Sequence, residues 1–286
     1  ARGSLAGGGV RAMHTTGVVL MACVSSLVAP LRSWSRWATV RWKLRYLWHY
    51  LRITLIGATS VYVAIAGAML GFVTIFFGFS QLPYPQVTVP LLREEFLAAA
   101  GYSTFRVIAP LLICVLLAGK VGAALAADIG ARRLTKQFDA MRSFGASPAA
   151  YMHGNMVIAM VLSMPVLTAL AYLANVYASL VAFLLTSPEA TLATFRRNYF
   201  ATVLPGGAAP SATGGWSITS GWPVGAGWVL LKVVCCGVLI AAVAYALGNR
   251  RKESSVAVSR DTGLTIFWAS LGVLAIHTAF SFVEFE

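Results

Sequence analysis

Hydrophobic positions along this chain fall into long unbroken blocks, without the polar faces that helices of a soluble domain keep. Ile53 to Phe79 runs 27 residues with no charged side chain, and Ala149 to Ser187 runs 39. At about 1.5 Å of rise per residue, roughly 20 apolar residues cross a hydrocarbon core of about 30 Å. The pattern predicts five spans, at about 53–79, 107–127, 152–185, 228–247 and 262–283. Around Pro165 the sequence Leu162-Ser163-Met164-Pro165-Val166-Leu167 offers no polar turn, so the third block reads as one long helix. Residues 53–286 form the transmembrane domain in this reading, and residues 1–52 an N-terminal segment.

The connections differ in kind. From Trp37, apolar residues at Val40, Leu44, Leu47, Trp48 and Leu51 make one helical stripe, with Arg41, Arg45 and Arg52 on another face. Trp34, Trp42, Tyr46 and Tyr50 add rings suited to the headgroup zone. A basic amphipathic helix of this type lies on a membrane surface. The apolar run Gly17–Ala29 is too short to span, and reads as a second interfacial helix or a signal-type segment. The segment 81–102, with three prolines and Arg93-Glu94-Glu95, reads as an outer loop with a short helix. Residues 128–145 are polar, basic and helical by pattern, and 186–227 an outer loop whose Pro205–Gly215 stretch reads as mobile.

Charge then fixes the orientation. The net charge of +13 at first suggests nucleic acid, but the basic residues are sorted by segment. With the N-terminus inside, inner segments hold Arg2, Arg11, Arg32, Arg36, Arg41, Lys43, Arg45, Arg52, then Arg132, Arg133, Lys136, Arg142, then Arg250, Arg251, Lys252, Arg260. The outer side keeps Arg93, Arg106, Arg196 and Arg197. That asymmetry is the positive-inside rule, not a nucleic-acid footprint. It puts the N-terminus on the inner side of the membrane, cytoplasmic, matrix or stromal. The start at Ala1 and the absence of acids before Glu94 suit an imported, trimmed chain.

No catalytic, metal or cofactor site is legible. Gly119-Lys120 lacks both the upstream glycine and the following Ser/Thr of a phosphate-binding loop. The four cysteines lie in apolar sequence without ligand spacing. No span carries a carboxylate near its centre, which disfavours ion-coupled transport.

The informative stretch is Pro110–Pro148. Gly119, Ala123 and Ala127 recur every four residues, as do Gly122, Ala126 and Gly130, giving two small-residue ridges for backbone-close packing. Beyond them the helix turns abruptly charged at Asp128, with Arg132, Arg133, Lys136, Gln137 and Asp139 opposite Leu134, Phe138 and Met141. From the residues alone this is either an inner-face helix that couples to a soluble partner or a solvated loop.

These residues resemble the signature of MlaE-like permeases, the membrane subunits of Mla, Mce and plastid trigalactosyldiacylglycerol lipid transporters. Pro110, Ala118, Gly119, Lys120, Gly122, Ala123, Ala124, Ala127, Ile129, Gly130, Thr135, Gln137, Asp139, Ala140, Met141 and Pro148 fit its spacing without a gap. Met164–Thr168, Leu231-Lys232 and Val258–Thr262 fit later parts of the pattern, so the likeness covers about residues 30–283. It implies an all-α integral membrane permease fold with an interfacial helix, five spans and a coupling helix at about 128–145. It further implies a homodimer with an ABC ATPase subunit and an MCE-domain lipid-binding protein, moving phospholipid while ATP is hydrolysed on another chain. Asp128, Arg132, Arg133, Lys136, Gln137 and Asp139 are then the expected ATPase contacts. Arg106 and Lys232 are candidates for a lipid phosphate, or else snorkel to headgroups. Gly119, Gly122 and Ala123 are expected to serve packing. Four positions depart from the pattern. Asp128 and Lys136 stand for glutamates, Ser147 for an aspartate, and Val107 for the glutamate after Arg106. The departures leave open a divergent subunit that acts as a non-transporting scaffold.

Overall fold

A computed structural model describes residues 17, 21, 40–81, 85–186, 191–200 and 225–285, with side chains from 93 onward in the second of the long segments. The readings of Gly17–Ala29, of Trp34 and Trp37, and of the Pro205–Gly215 loop lie outside these residues. The described residues are almost wholly helical and contain no strand. In chain order the helices are α1 (Val40–Thr54), α2 (Ala58–Ser80), α3 (Pro85–Ser103), α4 (Ala109–Leu117), α5 (Ala123–Leu134), α6 (Gln137–Ser143), α7 (Gly154–Thr186), α8 (Leu192–Tyr199), α9 (Ala226–Gly248) and α10 (Ser255–Phe285). Three π turns, Thr104–Ile108, Ala118–Gly122 and Ala149–His153, splice α3 to α4, α4 to α5, and enter α7. Five helical runs are long and apolar enough to cross a membrane: Val40–Ser80, Arg93–Leu134, Ala149–Thr186, Ala226–Gly248 and Ser255–Glu284. The protein is an all-α integral membrane protein.

Local sequence accounts for the breaks. Gly57, at φ +89°, takes the left-handed turn between α1 and α2 that a side chain would resist. Pro110 has no N–H to give the Arg106 carbonyl, and the π turn at Thr104–Ile108 absorbs that missing bond just ahead of it. Pro148 instead precedes its turn, as the N-cap of Ala149–His153, where a helix start needs no N–H from it. Pro165 leaves α7 unbroken, and the helix runs 33 residues through it.

Two expectations change here. The 81–102 segment is a 19-residue helix, not a loop with a short helix. Leu97, Ala98 and Ala100 bury one face of it while Glu94 and Glu95 stay exposed, so its charges mark an outer face and not a turn. The 128–145 segment is not one helix. The span helix carries on to Leu134, and α6 begins afresh after Lys136, which is left-handed at φ 59°.

The chain divides into two compact units. The first comprises residues up to Thr59, Cys114–Met164 and Val234–Ile276. Here α5 is held by glycine contacts. A side chain at Gly130 would press on Val258 of α10, one at Gly248 would meet the Ala126 carbonyl and Ile129, and one at Gly122 would reach Ile240 of α9. The His153 ring stacks on Tyr245 at 4.4 Å. Thr54 of α1 shares a 2.7 Å hydrogen bond with Ser163 of α7. Tyr50, expected among the headgroup rings, is fully buried, whereas Val40, Trp42, Leu44 and Trp48 are exposed. α1 is thus amphipathic as read, but turns an aromatic residue inward.

The second unit comprises Ser60–Ile113, Pro165–Val233 and the chain from His277. Its core joins Ile75 and Phe79 of α2, Leu97 and Ala100 of α3, Ala182 and Phe183 of α7, and Phe195 and Tyr199 of α8. Gly67 and Gly71, four apart on α2, lie directly against the Ala171 and Asn175 carbonyls of α7. In a lipid environment such close approach replaces the hydrophobic effect as the force joining helices. Thr191 caps α8 by accepting from the Thr194 amide at 3.2 Å, and the Tyr199 hydroxyl donates to Asn175 Oδ1 at 2.9 Å.

Two measurements test this packing. Gly67→Leu should cost about 1–3 kcal/mol by thermal unfolding in detergent, because its side chain overlaps α7 backbone. Ile65→Val, on the exposed side of the same helix, should stay within about 0.5 kcal/mol. Lys136→Gly should hold or raise stability by up to about 1 kcal/mol, because glycine takes the left-handed conformation freely, and Lys136→Val should lower it.

Candidate functional site

The predicted residues fall into two clusters, one in each unit. In the first unit the helical register of α5 puts Asp128 and Arg132 one turn apart. Arg132 Nε donates to Asp128 Oδ2 at 2.9 Å and Nη2 to Oδ1 at 3.2 Å, a forked pairing that fixes both side chains. His49 of α1 joins them, its Nε2 lying 3.2 Å from Arg132 Nη2 and 3.7 Å from Asp128 Oδ1. Asp128 and Arg132 are therefore turned toward α1 and occupied within the chain. The remaining four lie around α6. Arg133 Nη1 donates to Asp139 Oδ1 at 3.1 Å, and Arg142 approaches the same oxygen at 3.5 Å. Arg133 also lies over the Phe138 ring, whose side chain is buried. Lys136, Gln137 and Asp139 are exposed, and Phe144 just beyond α6 is 87% exposed. The surface here is a small charged helix with an unburied aromatic at its end.

The packing residues divide. Gly122 is buried with Ala126 and Gly130 along the ridge that meets α9 and α10. Gly119 is not in close contact: a side chain there would meet nothing within 4 Å among the described residues. The π turn at Ala118–Gly122 explains this. It adds a residue to the turn, so positions four apart across it no longer share a face. Ala123 is half-buried for the same reason. Lys120, inside that turn, donates to the Ala58 carbonyl at 2.7 Å, at the start of α2.

In the second unit the structure brings Arg106 and Lys232 together on Glu284, a residue that the sequence reading did not pair with them. Lys232 has no exposed side-chain surface and donates to Glu284 Oε2. Arg106 Nε lies 3.3 Å from the other Glu284 oxygen, and its Nη1 donates to the Tyr102 hydroxyl at 2.5 Å. Gly225, at φ +87°, leaves the space that the Arg106 guanidinium fills. The Lys232 side chain is fully buried and that of Arg106 is 14% exposed, both against a carboxylate whose own side chain is 1% exposed, so Glu284 takes a cation on each of its oxygens.

The sequence reading missed His49, Glu284 and Tyr102. Glu284 was not singled out, although an acid closing a helix whose preceding 22 residues, Thr262–Val283, carry no charge is a signal of its own.

Comparison with known proteins agrees with this architecture. The profile of the permease MlaE family matches residues 50–283. A probable ABC transporter permease protein of Synechocystis is 40% identical over 28% of this chain and 30% of its own length. The chloroplastic protein trigalactosyldiacylglycerol 1 of Arabidopsis thaliana is 34% identical over 23% of this chain and 19% of its own. A probable ABC transporter permease protein of Rickettsia felis is 31% identical over 32% of this chain and 42% of its own. The aligned stretches cover less than half the length of each relative. The family match, over most of the described chain, carries the assignment: this protein is a membrane permease of the MlaE family.

Proposed function

We propose that this permease is the membrane subunit of an ABC-type transporter that moves phospholipid between membranes, with ATP hydrolysed on a separate subunit and no catalytic site on this chain. The observation that carries the reading is the MlaE family match over residues 50–283. Arg106 and Lys232, which meet at Glu284, are the cations we assign to a lipid phosphate. The name of the Arabidopsis relative is that of a glycerolipid, which supports a lipid cargo. On the other unit, exposed Lys136, Gln137, Asp139 and Phe144 supply the kind of charged and aromatic surface that a soluble ATPase subunit grips. Asp128, Arg132 and Arg133 act behind it, orienting the segment and not contacting the partner face-on. An MCE-domain protein, a homodimeric assembly and an inner membrane with the N-terminus on the cytoplasmic, matrix or stromal side complete the proposal.

A second reading is a scaffold that has lost transport. Lys136 favours it, because a cation stands where the resembled signature has an acid, at the point of expected ATPase contact.

Purification of the native protein in mild detergent, with mass spectrometry of bound proteins and lipids, separates the two. Recovery of an ABC ATPase with an MCE-domain protein and phospholipid is the expected result. Recovery in an assembly without any ATPase would sink the transporter and leave the scaffold. Arg106→Gln should lower bound phospholipid about tenfold, the equivalent of losing one charge-assisted hydrogen bond. Lys232→Met with Glu284→Gln, which removes the pair together and leaves Arg106, should keep the chain folded and the phospholipid bound.

A further inference from the structure

In the first unit a second buried ion pair lies apart from both clusters. Lys252, in the short connection between α9 and α10, has no exposed side-chain surface. It donates to Asp261 Oδ2 and, at 2.9 Å, to the Leu247 carbonyl at the end of α9. The second contact caps the carbonyl end of α9 with a cation, where the helix dipole favours one. Asp261 is 3% exposed, and Arg260 lies 3.6 Å from its other oxygen.

The position of this pair relative to α5 gives it meaning. On α10, residues 258, 261 and 265 share one face. Val258 is what a side chain at Gly130 would strike, and Thr265 lies 3.8 Å from one at Gly122. The Lys252 Cε is 3.7 Å from the same point at Gly130. Asp261 therefore sits between the two points where α5 touches α10. Its backbone carbonyl also accepts from the Thr265 hydroxyl at 2.8 Å, which fixes the second of those points. From the α9 side, Gly248 rests on Ala126 and Ile129 of α5. The elbow between α9 and α10 forms a seat for α5, and the ion pair closes that elbow. Burial holds the Lys252 ammonium below its usual pKa, and the bond to Asp261 opposes that shift.

We propose that Lys252 and Asp261 are positioning residues: their buried contact fixes the α9–α10 elbow and so holds α5, with its Asp128–Arg132 segment, in place. The inference does not depend on what the permease carries.

Amide hydrogen exchange on the full chain in phospholipid nanodiscs reads the seat directly. Asp261→Asn, Lys252→Met and the double variant are compared with the native sequence. Each single variant should raise exchange across residues 123–134 about tenfold and leave 154–186 within about twofold. The double variant should go no further than either single one, because the two residues act through one contact. Two independent structural residues would instead add. Unchanged exchange over 123–134, equal loosening of every helix, or additive effects would each overturn the proposal. Should Asp261→Asn fail to insert, Asp261→Glu, which keeps the charge and displaces it by one methylene, serves with the same expected rise.

Discussion

A charge inside a helix that crosses a membrane has to be neutralised by the chain itself, since neither water nor lipid tails will do it. This constraint organises the protein. Lys232 meets Glu284, Lys252 meets Asp261, and Arg132 meets Asp128. The first of these links α9 to the end of α10, 52 residues away. A buried ion pair is specific in a way that apolar contact is not. Leucine packs against any leucine, but a buried ammonium needs an oxygen placed to accept from it. The Lys232–Glu284 pair in this way sets the register of α9 against the end of α10.

Glycine supplies the complementary half of the arrangement. Ion pairs fix which helices meet, and small residues let them meet at backbone distance. Gly67 and Gly71 bring α2 onto α7, while Gly122, Gly130 and Gly248 bring α5 into the α9–α10 elbow. The π turns adjust between these contacts. That at Thr104–Ile108 carries Arg106, and that at Ala118–Gly122 carries Lys120, so each places a cation where a regular helix would have aimed it elsewhere.

What the sequence disclosed follows from these physics. Spans were legible because freedom from charge over twenty or more residues has one explanation. The signature was legible because its spacing is dense and unbroken between Pro110 and Pro148. Three features were not legible. Arg93-Glu94-Glu95 and three prolines pointed to a loop, yet a helix tolerates all of them when the charges take the exposed face. Ridge counting from Gly119 assumed a constant period, and a π turn breaks the period without leaving a mark on composition. Glu284 was not singled out, because its partners Arg106 and Lys232 are set by tertiary folding. Short-range pattern is visible in sequence, and long-range pairing of lone charges is not.

Lys136 shows how the two kinds of information combine. It is the one non-glycine residue at positive φ among the described residues, and it stands between the seated helix α5 and the exposed helix α6. Up to Leu134 the chain is held by glycine contacts, by Arg132 and His49, and by the elbow that Lys252 and Asp261 close. From Lys136 onward it is held by Phe138 and by the arginines on Asp139. A left-handed residue has a narrow range of backbone angles, so the turn at Lys136 sets the direction in which α6 leaves α5. Its side chain is presented from that fixed backbone, exposed beside Gln137 and Asp139.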